Sequence, residues 1–306
     1  MARLRTAAGT GHATRRVRGN DATVLRDVAA EVRVWRVAQR AAGDNCRPAA
    51  KGDWLELLKS LCFRPATIVD IGANTGDWSR MARRLFPSAQ LVLVDGNNNT
   101  RHWSDLGGAR SAVAILDREE RTAQWFTHAG PDTGASLLKE QTAMFATTGG
   151  TERRTETLDG LLRRLHGGEP PAGACDLLKL DVQGAELSVL QGAARCLAQA
   201  EAVLLELSVA GTFNAGAASF AEHVTHLDKA GFSLFDVGEQ HRLSDKGLTK
   251  DGILFQLDLL FVRKGGRFTR QAQTAIERFG AHSRGVAPVD DELALVRSRR
   301  SVSQID

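Results

Sequence analysis

The sequence predicts an α/β fold, a mostly parallel sheet with helices on both faces and a C-terminal antiparallel hairpin. Three observations carry this. Short apolar runs at 67–71, 90–94, 177–182 and 202–207 have the length and composition of parallel strands buried on both faces. Helical stretches at 77–86, 185–198 and 220–230 alternate with them, as βαβ units require. Two further strand-like segments, 233–237 and 254–262, close the pattern as a hairpin joined by a long polar loop.

The elements follow in order. Residues 1–20 lack periodicity and are expected to form a mobile basic terminus. From the capping residue Asp21, the apolar positions Val24, Leu25, Val28, Val32 and Trp35 predict an amphipathic helix. Trp54, Leu55, Leu57, Leu58 and Leu61 predict a second, ended by Arg64-Pro65. Residues 111–116 read as a further strand, and 122–128 as an edge hairpin. The polar stretch 133–143 is expected to cover a site. An extended segment at 152–157 leads into a helix over 158–165, and two helical patterns, 269–279 and 290–299, end the chain. The expected division is a basic terminus (1–20), an N-terminal helical extension (21–64), a core (65–264) and a C-terminal helical extension (265–306).

Composition narrows the function classes. With 306 residues, 42% hydrophobic and 25% charged, the chain buries a core without help from metals or disulfides. Tyrosine is absent, which excludes tyrosine chemistry. The four cysteines, Cys46, Cys62, Cys175 and Cys196, form no Cys-x-x-Cys pair. Neither a zinc site nor a disulfide framework is expected, and a reducing, cytoplasmic setting follows. No apolar run reaches transmembrane length. The arginines of the first forty residues read as a solvated terminus, not a nucleic-acid surface, because Trp35 is the only aromatic among them.

In an open α/β sheet, ligands sit outside the carboxyl ends of the strands. The first strand ends in Val69-Asp70-Ile71-Gly72-Ala73-Asn74-Thr75-Gly76. Gly72 permits a sharp turn, and Gly76 lets the next helix pack closely. The spacing is Gly-x-x-x-Gly, and Asn74 stands where a pyrophosphate needs bare backbone. The loop therefore suits a nucleoside ligand without phosphates, such as S-adenosylmethionine. Asp70 is placed to position its amino-acid end, and helix-start amides to face its carboxylate. Asp95, about twenty residues on, ends the second strand where a carboxylate accepts bonds from ribose hydroxyls. Asp117, after the third strand, is placed near the adenine or in a surface turn.

The segment Leu178-Lys179-Leu180-Asp181-Val182-Gln183-Gly184-Ala185-Glu186 repeats the strand, acid, glycine, helix design. Asp181 then faces the same crevice as Asp70, with Lys179 two residues away as a possible partner. Glu186 falls in the first turn of a helix, where its charge has a structural explanation.

These stretches, with Thr157-Leu158-Asp159, Leu190-Gln191-Gly192-Ala193 and the run from Asp251 to Val262, resemble the FkbM-type methyltransferases over roughly residues 67–263. The resemblance implies the class I methyltransferase fold, S-adenosylmethionine as cofactor, and O-methylation of a hydroxyl on a sugar, glycan or natural product. It implies cofactor roles for Asp70, Gly72, Asn74, Gly76 and Asp95, and places Asp181 beside the reacting centre; Ala73 within the loop and Asp117 after the third strand are counted with the expected cofactor-binding residues. The sequence departs from the family in Asp95-Gly96-Asn97, where an acid followed by Pro is common, and in its long flanks.

An alcohol acceptor needs its proton removed as it attacks. Asp181 is the expected base, acting directly or through a cation, although no metal-ligand set is evident. Glu206 is a reserve strand-end carboxylate. His223 and His226 share a helix face, and His102, His128 and His241 are expected in loops at the crevice mouth. Two rivals remain at this level: a nucleotide-dependent sugar oxidoreductase, disfavoured by Asn74, and a non-catalytic binding module on the same scaffold.

Overall fold

A computed structural model describes residues 51–128, 133–141, 149–209, 214–243 and 252–282. The helix expected from Asp21, the whole of 1–20 and the pattern at 290–299 lie outside them.

Seven strands form the main sheet in the order β3-β2-β1-β7-β8-β10-β9. They are β1 (Thr67–Ile71), β2 (Gln90–Asp95), β3 (Arg110–Val113), β7 (Leu177–Leu180), β8 (Ala202–Ser208), β9 (Phe232–Leu243) and β10 (Ile253–Arg263). The first five pair in parallel, while β10 runs antiparallel to both β8 and β9. A smaller sheet, β4 (Ile115–Leu116), β6 (Thr151–Glu156) and β5 (Thr122–Trp125), stands at one end. The expected strand over 111–116 is thus split: Ala114 turns the chain from the large sheet into the small one. Thr122–Trp125 of the expected edge hairpin over 122–128 instead pairs antiparallel with the extended segment Thr151–Glu156.

Alternation along the central strands builds two apolar layers. Val69, Ile71, Val92, Val94, Leu178 and Leu205 face one layer. Ile68, Leu91, Leu93, Leu177, Leu204 and Leu260 face the other. Helices α3 (Leu158–His166), α4 (Glu186–Gln191), α5 (Ala194–Gln199) and α6 (Phe220–Lys229) supply side chains or contacts to the first layer. Helices α1 (Lys51–Ser60), α2 (Asp77–Leu85) and α7 (Arg267–His282) supply the second through Trp54, Leu55, Leu58, Trp78, Ala82 and Phe268. The flanking helices therefore complete one face of the core. Phe268 packs edge-on to Phe63, ring centroids 5.2 Å apart.

Local signals explain the breaks. Thr157 Oγ1 accepts from Gly160 N and caps α3. Ser219 and Glu222 form a capping box at the start of α6. The single helix expected over 185–198 divides at Gly192, because a Cβ there would lie 2.4 Å from the Asp117 carbonyl oxygen. Asp159 then accepts from the backbone of Arg195 and Cys196, fixing the start of α5.

The cysteine expectation is corrected. Cys175, just before β7, and Cys196, on α5, are joined as a disulfide with Cα atoms 5.5 Å apart. Their separation of 21 residues carries no motif, and packing of α5 beside the start of β7 brings them together. No helix among the described residues is long and apolar enough to cross a membrane.

Candidate active site

Strand order reverses between β1 and β7: β2 and β3 continue to one side, β8 to the other. The crevice at such a point is open because the loops leaving the two strands diverge. A cavity of about 260 Å³ lies there, lined by the β1 loop, the ends of β2, β7 and β8, and a strap over 133–137.

The β1 loop is shaped by close backbone approach. Gly72 has φ 76°, and a Cβ on it would stand 1.9 Å from the Asp181 carbonyl oxygen. Its N–H and that of Ala73 both donate to Val94 O, which ties the loop to β2. Asn74 also sits in the left-handed region, φ 44°. Its N–H donates to Asp95 Oδ2 at 2.8 Å, and its carbonyl accepts from Trp103 Nε1 at 2.8 Å. Gly76, φ 87°, lies against the Trp103 ring, 2.9 Å from where a Cβ would reach it.

The carboxylates divide into two kinds. Asp95 lines the cavity, its oxygens accepting from the backbone of Asn74 and Asn97. Burial raises its pKa against the opposing pull of those two bonds. Asp181 lines the opposite wall with 21% of its side chain exposed, 3.5 Å from Lys179 Nζ. Gln183 Nε2 donates to Asp181 Oδ1 and to Glu206 Oε1, 2.9 Å each, and so bridges the ends of β7 and β8.

Asp70, by contrast, is buried below the cavity. Ser79 Oγ donates to one oxygen at 2.7 Å, and Lys179 Nζ to the other at 3.0 Å. Lys179 also reaches Gly72 O at 3.3 Å, so this ion pair supports the glycine loop from beneath. Asp117 is fully buried among Ser188, the Arg118 amide and the Arg121 guanidinium, outside the cavity lining. Ala73 and Gly76 shape the loop without lining it.

Glu186 is structural. Its Oε1 accepts from the amides of Val182 and Gly184, holding the turn that presents Asp181 and Gln183. Burial pushes its pKa up from 4.5 to about 7, with the backbone bonds opposing. The folded chain thus binds more protons than the unfolded chain between those values. Stability from this group is full below about pH 4.5 and is lost as pH rises through about 7. Glu186→Gln keeps an acceptor for both amides and removes that loss. Relative to wild type, it should gain on the order of 3 kcal/mol between about pH 4 and pH 8. Urea unfolding at the two pH values checks this, and parallel pH profiles would refute it.

Among the described residues, no histidine lines the cavity. His223 is buried, its Nδ1 against Ser219 O, and burial depresses the pKa of both it and His226. His128 contacts Gly134 O, His102 sits in a 3-10 turn, and His241 lies on β9, not in a loop. Sequence reading missed Trp125, Asn97 and Gln183. Trp125 forms an apolar wall over Gly96, where a Cβ would be 2.5 Å from its ring, and its Nε1 donates to Asn97 Oδ1. Gly96, directly after β2 and directly before Asn97, is the trace of this in the sequence.

The residues present fit S-adenosylmethionine: a side-chain-free approach at Gly72, a carboxylate at the end of β2, and an apolar wall of Trp125, Ala114 and Leu116. The strand order is that of the class I, Rossmann-like methyltransferase fold, with the crevice at its topological switch point. The family described as "Methyltransferase FkbM domain" matches residues 70–234, more than half of the chain. The chain belongs to that family and is an S-adenosylmethionine-dependent methyltransferase. This replaces the oxidoreductase alternative.

Among solved structures, the FkbM methyltransferase of Methylobacillus flagellatus KT is similar at 11% identity and TM-score 0.39, over 64% of this chain and 43% of that one. The chain thus spans less than half of that protein's length. A precorrin-6y C5,15-methyltransferase from Geobacter metallireducens GS-15 is similar at 12% identity and TM-score 0.37, over 68% and 87%. A putative O-methyltransferase from Klebsiella pneumoniae is similar at 16% identity and TM-score 0.36, over 76% and 89%. Likeness this distant adds nothing to the assignment, which rests on the family match and the strand order. No curated protein matches the sequence.

Proposed function

We propose that the protein transfers the methyl group to a hydroxyl of a small molecule or glycan, with Asp181 as the general base. One observation carries this reading: the Asp181 carboxylate lines the same cavity as Gly72 and Asp95, held from two sides by Lys179 and Gln183. In this reading Gly72 gives the cofactor a side-chain-free approach, Asn74 lines its cavity, and Asp95 accepts from its ribose hydroxyls. Asp70 acts from below, by fixing Lys179 and the loop. Asp117 belongs to the scaffold.

The bound cofactor supplies a sulfonium methyl already activated toward attack. The protein's part is then positioning, which can supply about 7–11 kcal/mol, and removal of one proton. Asp181 accepts the hydroxyl proton at its exposed oxygen as the acceptor oxygen advances. Lys179 Nζ stands 3.5 Å from the Asp181 carboxylate, and Trp125 with the strap residues Ala135 and Leu137 restricts water.

The experiment is product analysis. The enzyme is incubated with methyl-13C S-adenosylmethionine and a panel of hydroxyl- and amine-bearing acceptors. The reading predicts label in the chemical-shift range of O-methyl groups; label on nitrogen or carbon alone would overturn it. A narrower prediction concerns the cofactor. Asp95→Ala should weaken S-adenosylhomocysteine binding about 10- to 100-fold, as expected for a lost bond to a charged group. Unchanged affinity by calorimetry would remove Asp95 from the ribose.

A further inference from the structure

Beyond the cavity, the polar face of the sheet continues. Leu180 pairs with Leu205, so the next residue of each strand, Asp181 and Glu206, stand side by side. Glu206 is in turn opposite Asp258 of β10. The register between β10 and β9 then slips: Leu257 faces Gln240 and Leu259 faces Val237. Gly238 and Glu239 therefore both oppose the single residue Asp258. Alternation puts Glu239 and His241 on one face of β9. The register before the slip, Gln256 with His241 and Leu257 with Gln240, sets Asp258 across from Glu239 on that face, and Gly238 is the extra residue of the bulge.

The result is a mixed donor set. One donor atom from each of Glu239, His241 and Asp258 lies within 4.8 Å of the others, the only such group of three among the described residues. Donors about 2.0–2.2 Å from a shared ion are at most about 4.4 Å apart, so a small side-chain rotation closes the set. Asp258 is fully buried, His241 half-buried and Glu239 exposed, which leaves one side open to solvent for entry. Gly238 keeps the strand close to α1, since a Cβ there would meet the Trp54 ring at 2.3 Å.

We propose that Glu239, His241 and Asp258 form a site for one divalent transition-metal cation. One imidazole with two carboxylates is a borderline nitrogen and oxygen set. It suits Mn2+, Co2+ or Zn2+ better than Mg2+ or Ca2+, which favour oxygen alone. Glu206, opposite Asp258 in the ladder, adds a further carboxylate beside the set, and a divalent cation is attracted to this accumulation of acidic groups. The site lies one strand beyond the cavity wall at Glu206, and ties β9 to β10 where the hairpin bulges. Its occupancy does not depend on the identity of the methyl acceptor.

The test uses the full chain, stripped with a chelator and titrated with Co2+, whose visible absorption reports an imidazole ligand. One ion per chain is expected, with affinity reduced at least tenfold in both His241→Gln and Glu239→Gln. Because these two side chains are not fully buried, each variant keeps the core intact, and thermal unfolding without metal should match wild type. Asp258→Asn should lose binding as well, but its buried position makes it the less decisive variant. Absence of stoichiometric binding, or unchanged affinity in His241→Gln, would overturn the proposal.

Discussion

Gly72→Ala is expected to abolish cofactor binding and to lower stability by about 2–5 kcal/mol. Two costs combine. The residue sits at φ 76°, where an L side chain is strained, and its Cβ would be 1.9 Å from a backbone oxygen of Asp181. That oxygen belongs to the end of β7, so relief of the clash must separate β1 from β7 at the mouth of the crevice. Lys179, which reaches Gly72 O and Asp70 together, would be displaced with it. Gly107→Ala serves as control, since nothing lies within 4 Å of its Cβ position. Thermal unfolding and S-adenosylhomocysteine titration of both variants check the claim. If Gly72→Ala behaved like Gly107→Ala, the close approach of the two strands would be wrong.

The second large effect is on turnover. Asp181→Asn removes the proposed base while keeping an oxygen to accept from Gln183 Nε2. The loss of general-base assistance should lower kcat about 10²- to 10⁴-fold. Cofactor affinity should stay within about threefold, because in the proposed arrangement Gly72, Asn74 and Asp95 hold it. Measured as methyl transfer from labelled cofactor to an accepted hydroxyl compound, near-normal kcat would take Asp181 out of the chemistry. A matching loss of cofactor affinity would instead make it a binding residue.

Much of the site was legible because backbone constraints leave marks in the chain. Gly72 at a strand end, Asp95 at the next and Asp181 two strands across all follow from strand length and from the rule that crevices form at carboxyl ends. Side-chain direction was not legible to the same depth. Asp70 reads as a residue that positions the cofactor's amino-acid end, yet it lies below the cavity, and only the register with Lys179 reveals it as the lower half of an ion pair. Asp117 likewise turned inward to Ser188 and Arg121.

What depends on tertiary meeting left no local trace. Cys175 and Cys196 come together because α5 packs beside the start of β7, and no spacing rule encodes that. Gln183 bridges two carboxylates only because β7 and β8 are neighbours. The hairpin was foreseen, but the register that sets Asp258 of β10 across from Glu239 and near His241 is a property of pairing, which alternation within each strand does not give.

The central claim is that the crevice between β1 and β7 holds S-adenosylmethionine. Isothermal titration of the folded protein with S-adenosylhomocysteine tests it most directly. One site per chain is predicted, weakened in Asp95→Ala and absent in Gly72→Ala. No heat from the folded wild-type protein, or equal binding in all three, would contradict it.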